Sequence, residues 1–246
     1  MTPREFKKMK LKKLQEQKFK PHQKISNTFI QSAIHKSSTG ALKTIFYLAS
    51  ILEKNIDLNN DLNTLEIDLR QMLKYTGLTA KEIRNNFITM QETSISFINE
   101  IEKEELMINL LPYIDFKWGK NLVELKIFSK IAILIIDVKK SYTFVDTSIL
   151  MKLKNKHSLR LLPLLNLISN DDENKLKSEN YELDDLNDLF GTSYKRLQDI
   201  DRFILAKVKE ELDQVSKLSF KYEINFDNFG KGRPKSTNIK IEVFQK

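Results

Sequence analysis

The sequence LFGTSYKR at residues 189–196 decides how the C-terminal part of this chain folds. A short helical pattern ends just before Gly191, and glycine readily takes the left-handed conformation that a tight turn requires. Apolar residues then recur every three or four positions, which predicts a helix over residues 194–215 with Thr192 or Ser193 as its N-cap. The stretch therefore predicts two helices joined by a tight turn.

Two strongly alternating stretches follow these helices, over residues 218–226 and 237–244. Strict alternation of apolar and polar residues predicts two half-buried strands. The loop between them carries Lys231, Arg233 and Lys235 within five residues and has no acidic residue. A helix-turn-helix followed by a hairpin with a cationic tip is a winged helix, which places one helix in a major groove and the tip on nearby phosphates.

The polar face of the predicted recognition helix carries both basic and acidic residues. Lys195 and Arg202 suit phosphate or guanine contacts, and the ordinary alternative is a solvated helix face. Asp199 and Asp201 complicate a DNA-binding face, because carboxylates repel phosphates. Asp199 can accept a hydrogen bond from cytosine, or both acids can point away or pair with Arg202, and these alternatives stay open.

The same order of predicted elements, two helices joined by a tight turn and then a hairpin, is found upstream with weaker sequence signals. A short helical pattern ends at Gly77, and the next helix opens with a capping box formed by Thr79 and Glu82. Its apolar residues predict a buried face, and its outward polar residues are Lys81, Arg84 and Asn85. The sequence therefore predicts a second helix-turn-helix.

The strands of the upstream copy lead to a short basic tip. The stretch 106–116 is strand-like and interrupted by Pro112, and residues 122–128 alternate cleanly. Lys117 and Lys120 flank the tip between them. We therefore predict an α+β chain with two tandem winged-helix domains from a diverged internal duplication. The predicted domains are a basic N-terminal arm (1–24), a first winged-helix domain (25–138) and a second winged-helix domain (139–246).

The net charge of +8 is unevenly distributed. Residues 1–24 contain nine Lys and Arg against two Glu, so the rest of the chain is nearly neutral. This segment is either a partly helical solvated tail or an arm that follows DNA phosphates. The case for DNA binding in the folded part therefore rests on local clusters of cations.

Composition also limits the cellular setting. The chain has no cysteine, which excludes a disulfide scaffold and thiolate zinc sites and fits a reducing compartment. Its longest apolar run, residues 131–136, is far shorter than the ~20 residues that cross a bilayer. The N-terminal region lacks the apolar core of a signal peptide. We expect a soluble cytoplasmic protein without membrane association.

The residue patterns of common enzyme sites are missing from the sequence. There is no Walker-type phosphate loop, and His22, His35 and His157 are isolated from one another. His157 borders a Leu-rich helix and is interpreted as a cap or core neighbour. We therefore predict no catalytic residues, no metal site and no cofactor.

With these residues identified, the sequence resembles plasmid replication initiators of the Rep family with two winged-helix domains. The resemblance is clearest from residue 156 to residue 244. It rests on HSLRLLPLL at 157–165, YEL at 181–183, the Phe190–Gly191 pair with Tyr194, and GKGR at 230–233. Residues 26–128 match the family in layout.

The resemblance implies a DNA-binding initiator that recognises direct repeats (iterons) at a plasmid origin. The second domain reads the major groove, and the first adds contacts one turn away and mediates dimerisation. Monomers help to open the origin and recruit the host replication initiator and the replicative helicase, and dimers in equilibrium with monomers repress the initiator's own gene.

The predicted DNA-binding residues fall into three groups. The second recognition helix contributes Ser193, Tyr194, Lys195, Arg196 and Arg202, and its wing contributes Lys231, Arg233 and Lys235. In the first domain we predict Lys81, Arg84, Asn85, Lys117 and Lys120. Two alternatives to a replication initiator stay open. One is a winged-helix transcriptional regulator without a replication role, and the other is an enzyme such as a nickase.

Overall fold

The structure is a computed structural model of the chain. It describes residues 22–26, 38–57, 59–99, 104–136, 142–170, 177–227 and 235–246. Most of the predicted basic arm and the tip of the second wing lie outside these ranges, so what the sequence predicts for them stays a prediction.

The first half of the chain contains a helix-turn-helix and a three-stranded antiparallel sheet. In chain order the elements are β1 (His22–Ser26), α1 (Thr39–Asn55), β2 (Leu62–Asp68), α2 (Leu69–Thr76), α3 (Ala80–Glu92), β3 (Ser94–Asn99), β4 (Glu104–Asn109), β5 (Tyr113–Lys117), β6 (Leu122–Phe128) and α4 (Ser129–Ile136). The main sheet has the order β2-β6-β5. The strand before the helix-turn-helix therefore pairs with the last strand of the hairpin, as in a winged helix.

The second half repeats this layout. Its elements are β7 (Tyr142–Asp146), α5 (Thr147–Lys152), α6 (Lys156–Asn170), β8 (Ser178–Tyr181), α7 (Leu183–Phe190), α8 (Leu197–Ile200), a π-helical turn (Asp201–Leu205), α9 (Ala206–Val215), β9 (Leu218–Asp227) and β10 (Lys235–Gln245). Its sheet has the order β8-β10-β9. Residues 197–215 form one continuous helix, which we call the second recognition helix, and α3 is the first. The prediction of two winged-helix domains in an α+β chain is confirmed.

One hairpin in the first half was not predicted as such. The strand-like stretch 106–116 is divided between two sheets, with β4 paired to β3 and β5 paired to β6. Pro112 lies between β4 and β5, where its missing N–H and fixed φ are incompatible with a continuing strand. The β3–β4 hairpin is thus an addition between the first recognition helix and the sheet.

The strand β1 pairs in antiparallel fashion with β7, so that His22 lies opposite Asp146 and Ser26 opposite Tyr142. β1 begins within the range predicted as the basic arm, and β7 lies beyond the predicted boundary at residue 138. Residues 142–146 therefore lie beside a strand that precedes α1. The domain boundaries stay a prediction.

The buried apolar side chains of both halves form one connected cluster. The helix α6 contacts elements of both halves, including α1, β7, α9, β9 and β10. Its Leu159, Leu161 and Leu165 are completely buried, as the Leu-rich pattern predicts. Burial of each such side chain contributes about 1.5–3 kcal/mol, so α6 is the central element of the core.

Two polar contacts fix the end of α5 and the segment that follows it. Glu211 on the second recognition helix accepts a hydrogen bond from the backbone N–H of Lys154 at 2.7 Å. Lys43 on α1 is buried and donates to the carbonyl oxygen of Met151 at 2.6 Å; desolvation by burial lowers the pKa of Lys43, although Glu211 opposes this effect. Glu211 thereby attaches the second recognition helix to the segment that precedes α6.

Candidate nucleic-acid interface

The first helix-turn-helix has a short turn held by neighbouring residues. The helix α2 ends at Gly77, which has φ of 68° and donates its N–H to the carbonyl of Leu73. In the predicted capping box, the Thr79 hydroxyl accepts from the N–H of Glu82 at 3.2 Å, and the Glu82 carboxylate accepts from the N–H of Thr79 at 2.7 Å. The backbone hydrogen bond from Thr79 is the main reason why the pKa of Glu82 is lowered. The prediction of this capping box is confirmed.

The outward face of the first recognition helix carries the predicted polar residues. Lys81, Arg84 and Asn85 are all exposed, while Ile83 and Phe87 are completely buried. The helical spacing therefore assigned both faces correctly. The role of the exposed residues in DNA binding stays a prediction.

The tip of the first wing is a single 3-10 turn, Trp118–Lys120. The Trp118 ring stacks on Phe116 with ring centroids 4.9 Å apart, and Phe116 packs edge-on against Phe87 of the recognition helix. Lys120 is exposed, whereas the ammonium of Lys117 is hydrogen-bonded to Glu124 and lies 3.6 Å from Asp115. The hydrogen bond to Glu124 raises the pKa of Lys117. The two predicted cations of this tip therefore differ, because the charge of Lys117 is already balanced.

The turn of the second helix-turn-helix is longer than the sequence predicts. The second recognition helix begins at Leu197 with Arg196 at its N-cap position, and no side chain caps it. The prediction that this helix starts at residue 194 with Thr192 or Ser193 as its cap is therefore wrong. Ser193, Tyr194 and Lys195 belong to the turn.

A side chain from α7 explains the longer turn. The carbonyl oxygen of the Asn187 side chain accepts hydrogen bonds from the Thr192 hydroxyl and from the backbone N–H of Tyr194, both at 2.9 Å. Its amide donates to the backbone carbonyl of Tyr194 at 2.9 Å. Because both backbone groups of Tyr194 are bound to Asn187, this residue cannot join the helix that follows.

The HSLR segment of α6, residues 157–160, contacts the end of α7. Arg160 is 6% exposed and donates from Nη1 to the backbone carbonyl of Phe190, the last residue of α7. Burial lowers the pKa of Arg160 to about 10. The imidazole of His157 packs edge-on against the Phe190 ring at 5.3 Å, and burial lowers its pKa to about 4. The interpretation of His157 as a core neighbour is confirmed.

Arg196 and Asp199 form a bidentate pair at the start of the second recognition helix. Nε and Nη2 of Arg196 donate to the two carboxylate oxygens of Asp199 at 3.0 and 2.8 Å. The Arg196 side chain is 71% exposed, and that of Asp199 is 20% exposed. This hydrogen bonding raises the pKa of Arg196 and lowers that of Asp199. Of the alternatives for Asp199, pairing with an arginine is observed, but the partner is Arg196.

A π-helical turn interrupts the second recognition helix at Asp201–Leu205. The N–H of Ala206 donates to the carbonyl of Asp201, five residues back. Asp201 also accepts a hydrogen bond from the Tyr222 hydroxyl of β9 at 2.6 Å. Burial, followed by this hydrogen bond, raises the pKa of Tyr222. The turn therefore joins the recognition helix to the wing strand, and the Asp201 carboxylate is hydrogen-bonded to Tyr222.

The wider turn changes which residues face outward. Both Ile204 and Leu205 are buried, while their neighbours Arg202 and Phe203 are exposed. The Phe203 ring stacks on Tyr194 with centroids 6.0 Å apart and planes 15° apart. The guanidinium carbon of Arg202 lies 5.4 Å from the centre of the same ring.

The predicted site residues of the second domain are only partly brought together. Ser193, Lys195 and Arg196 are exposed in the turn, and Arg202 is exposed on the helix. The predicted wing residues Lys231 and Arg233 lie outside the described residues, so their role stays a prediction. Lys235 begins β10, opposite Asp227 of β9. The sequence prediction overlooked Asn187 and Phe203. Two signals could have indicated them: Asn187 is an asparagine within a short helix, and Phe203 is an aromatic residue outside the apolar spacing.

Two family models match this chain. One, described as initiator replication protein WH1, covers residues 22–166, and the other, described as initiator Rep protein WH2, covers residues 182–243. The first alone spans more than half of the chain. The chain belongs to the Rep family of replication initiators. It is a plasmid replication initiator with two winged-helix domains, and its family is a DNA-binding family rather than a classical enzyme family.

The fold of this Rep protein is shared with a solved initiator. The structure described as "Crystal structure of Pi initiator protein in complex with iteron DNA" matches with a TM-score of 0.72 at 15% sequence identity. The match covers 93% of this chain and 99% of that chain. No curated protein sequence matches the chain. At this level of identity the likeness shows a common fold.

Neither a membrane span nor a metal site is found in the part of the chain that the structure describes. No helix there is both long enough and apolar enough to cross a bilayer. Within the same ranges, no three His, Cys, Asp or Glu residues come together in a way that could hold a metal ion.

Proposed function

We propose that this Rep initiator binds direct repeats at a plasmid origin, with its two winged helices on successive turns of the DNA. The observation that carries the proposal is the repeated helix-turn-helix, in which each recognition helix or its turn presents exposed cations. Helices of this type contact base edges with their N-terminal residues. The Pi initiator, which has the same fold, was solved with iteron DNA.

Arg196 is the proposed base reader of the second domain. Asp199 occupies Nε and one N–H of Nη2, which leaves the N–H groups of Nη1 and the other N–H of Nη2 pointing away from the carboxylate. Two parallel N–H groups suit the O6 and N7 acceptors of guanine. Asp199 thus positions the guanidinium and neutralises part of its charge, so that Arg196 favours a base edge over a phosphate.

The remaining exposed residues of the second domain are proposed to position the DNA. Lys195 and Ser193 lie in the turn, next to the start of the helix, where phosphate contacts are common. Arg202 follows about one and a half turns after the start of the helix. Lys231 and Arg233 of the wing, with Lys235, are proposed to contact a neighbouring phosphate run.

The first domain is proposed to add contacts one turn away. Lys81, Arg84 and Asn85 form the exposed face of its recognition helix, and Asn can make a bidentate contact with adenine. At the wing tip we assign the DNA contact to Lys120, because Glu124 and Asp115 already balance the charge of Lys117.

Binding to the direct repeats that flank the gene tests the proposal. Fluorescence anisotropy with those repeats and with a scrambled duplex of equal composition should show at least a 100-fold preference for the repeats. Equal affinity for both duplexes would contradict the proposal. Each phosphate contact removed should reduce the slope of log K against log salt by about 0.9.

The role of Arg196 is tested with two substitutions. Arg196→Lys keeps the charge but removes the planar fork, so it should relax the preference at one guanine and cost about 1–3 kcal/mol on the specific duplex. Asp199→Ala should weaken specific binding while non-specific binding is kept or rises, because a repulsive carboxylate is gone. If both variants weaken all duplexes equally, Arg196 contacts phosphate rather than a base.

The later steps of initiation form the finer part of the proposal. Monomers are proposed to open the origin and recruit the host replication initiator and replicative helicase, and dimers to repress the initiator's own gene. Permanganate reactivity of origin thymines should rise when the protein is added to supercoiled origin DNA. A protein that binds the repeats and represses the gene but leaves the thymines unreactive would instead be a transcriptional regulator.

A further inference from the structure

Phe203 is an exposed aromatic residue in an unusual position. Among the large apolar side chains that are exposed in the described part of the chain, it is the one that lies on a recognition helix, and 44% of it is exposed. Single apolar residues on a surface are common and need no explanation. Phe203 differs because it is held in a defined group of side chains.

Two side chains contact the Phe203 ring, and a third holds one of them in place. One face is stacked against Tyr194, and Asn187 fixes Tyr194 through both of its backbone groups. The guanidinium of Arg202 lies 5.4 Å from the ring centre, within the range of a cation–π interaction. A ring held in this way loses little conformational freedom on binding, which favours its use in recognition.

A π-helical turn contains this ring. It directs Ile204 and Leu205 together into the core, where they are 1% and 0% exposed. Arg202 and Phe203 then lie next to each other outside the core, in the first half of the recognition helix. π-helical turns are rare and occur frequently at functional sites.

The chemistry of the major groove suggests one target for an apolar ring at this position. Its floor presents hydrogen-bond donors and acceptors and one apolar group, the 5-methyl of thymine. A phenyl ring cannot form hydrogen bonds with base edges or phosphates, but it gains from covering a methyl group. The adjacent cations Arg202 and Lys195 can meanwhile contact the backbone on either side.

We propose that Phe203, supported by Tyr194, reads the 5-methyl group of one thymine in the recognition sequence. This inference rests on the proposed function, since it requires that the second recognition helix enters the major groove. It adds an apolar element of specificity to the arginine contact proposed above.

Removal of a single methyl group from the DNA tests the contact. The full chain is first used to select its preferred duplex from a random-sequence pool, and each thymine of that duplex is then replaced in turn by deoxyuridine. At one position the replacement should weaken binding of the unmodified protein about three- to five-fold, which corresponds to burial of one methyl group. Phe203→Ala should bind the thymine and deoxyuridine duplexes equally at that position and still discriminate at every other position.

Two further variants serve as controls. Phe203→Leu keeps an apolar side chain and should retain part of the discrimination. Phe144→Ala removes a comparably exposed phenyl ring, 51% exposed on β7, and should leave both affinity and discrimination unchanged. Far-UV circular dichroism checks that all variants fold.

The outcomes separate this inference from the proposed function. If the pool yields no preferred duplex, the proposed function itself fails. If a duplex is selected but Phe203→Ala remains as sensitive to the lost methyl as the unmodified protein, another residue makes the contact and the inference fails. The inference also fails if Phe203→Ala weakens binding to all duplexes equally, or weakens binding only to single-stranded DNA. In either case the ring would act without reading thymine.

Discussion

The two helix-turn-helix units share their order of elements but are held together by different contacts. In the first, the residues between the helices are Gly77 to Thr79, and the cap is formed by residues three positions apart. In the second, six residues separate the helices. Asn187, which lies in the preceding helix, holds this turn through hydrogen bonds to the backbone of Tyr194. Arg160, thirty residues before Phe190, holds the end of that helix.

This difference indicates how each recognition helix is positioned. The turn before the first is closed by contacts between residues that are close in sequence, and the helix itself packs on α1, where Asn86 donates a hydrogen bond to Thr44. The second depends on contacts from α6 and α7 and on the Tyr222–Asp201 hydrogen bond from the wing strand. We therefore expect the second unit to be sensitive to substitutions that touch no DNA, and the first to be much less so.

The largest effect is expected for Arg160→Met. This change leaves the buried carbonyl of Phe190 without its cationic donor, which should lower the free energy of unfolding by about 2–3 kcal/mol. Urea unfolding followed by far-UV circular dichroism measures it. Lys156→Met is the control, because Lys156 is exposed on the same helix and should change stability by less than about 0.5 kcal/mol. Equal effects of the two changes would contradict the anchoring role of Arg160.

Asn187→Ala should have the next largest effect. It removes three hydrogen bonds around a half-buried turn, which should cost about 2 kcal/mol of stability. It should also weaken specific DNA binding about ten-fold while leaving non-specific binding nearly unchanged, because the turn loses its fixed shape. Asn180→Ala, at an exposed position on β8, is the matched control. Normal specific affinity in Asn187→Ala would show that the turn holds its shape without this side chain.

The dependence of stability on pH should come partly from the second unit, through His157. The pKa of this imidazole is lowered from 6.5 to about 4 in the folded protein, so the unfolded chain binds a proton more readily. Stability should therefore fall as the pH drops from 6.5 towards 4, by about 1–2 kcal/mol after allowance for partial exposure to solvent. His157→Phe keeps the ring contact with Phe190 and should flatten this part of the profile. An unchanged profile would assign the pH dependence to other groups.

The smallest effect is expected for Thr79→Ala in the first unit. Loss of an N-cap hydroxyl costs about 1 kcal/mol, and Thr79→Ser should restore most of it. The fluorescence of Trp118, the only tryptophan in the chain, provides a convenient signal because this residue lies at the first wing. A loss larger than that of Asn187→Ala would reverse the ranking of the two turns.

The sequence predicted those features that depend on short-range patterns. The spacing of apolar residues assigned the inner face of both recognition helices, alternation located β6, β9 and β10, and the capping box of Thr79 is present. In the candidate site, the exposure of Lys81, Arg84 and Arg202 followed from the same spacing.

The features that the sequence did not predict depend on contacts between distant residues or on a shift in helical phase. The second recognition helix starts three residues late, because Asn187 holds both backbone groups of Tyr194. The π-helical turn inserts one position into the apolar pattern, so Leu205 is buried although it lies outside the predicted spacing. Apolar spacing assumes a uniform helix and cannot show such a shift.

The pairing of β1 with β7 has a consequence for the timing of synthesis. About 120 residues separate His22 from its partner Asp146. At roughly 5–20 residues per second, the ribosome needs about 6–25 seconds to make them. During that interval β1 has no partner strand, and its backbone groups are open to pairing with other chains. The first half of the chain therefore gains this strand pair only when translation has passed into the second half.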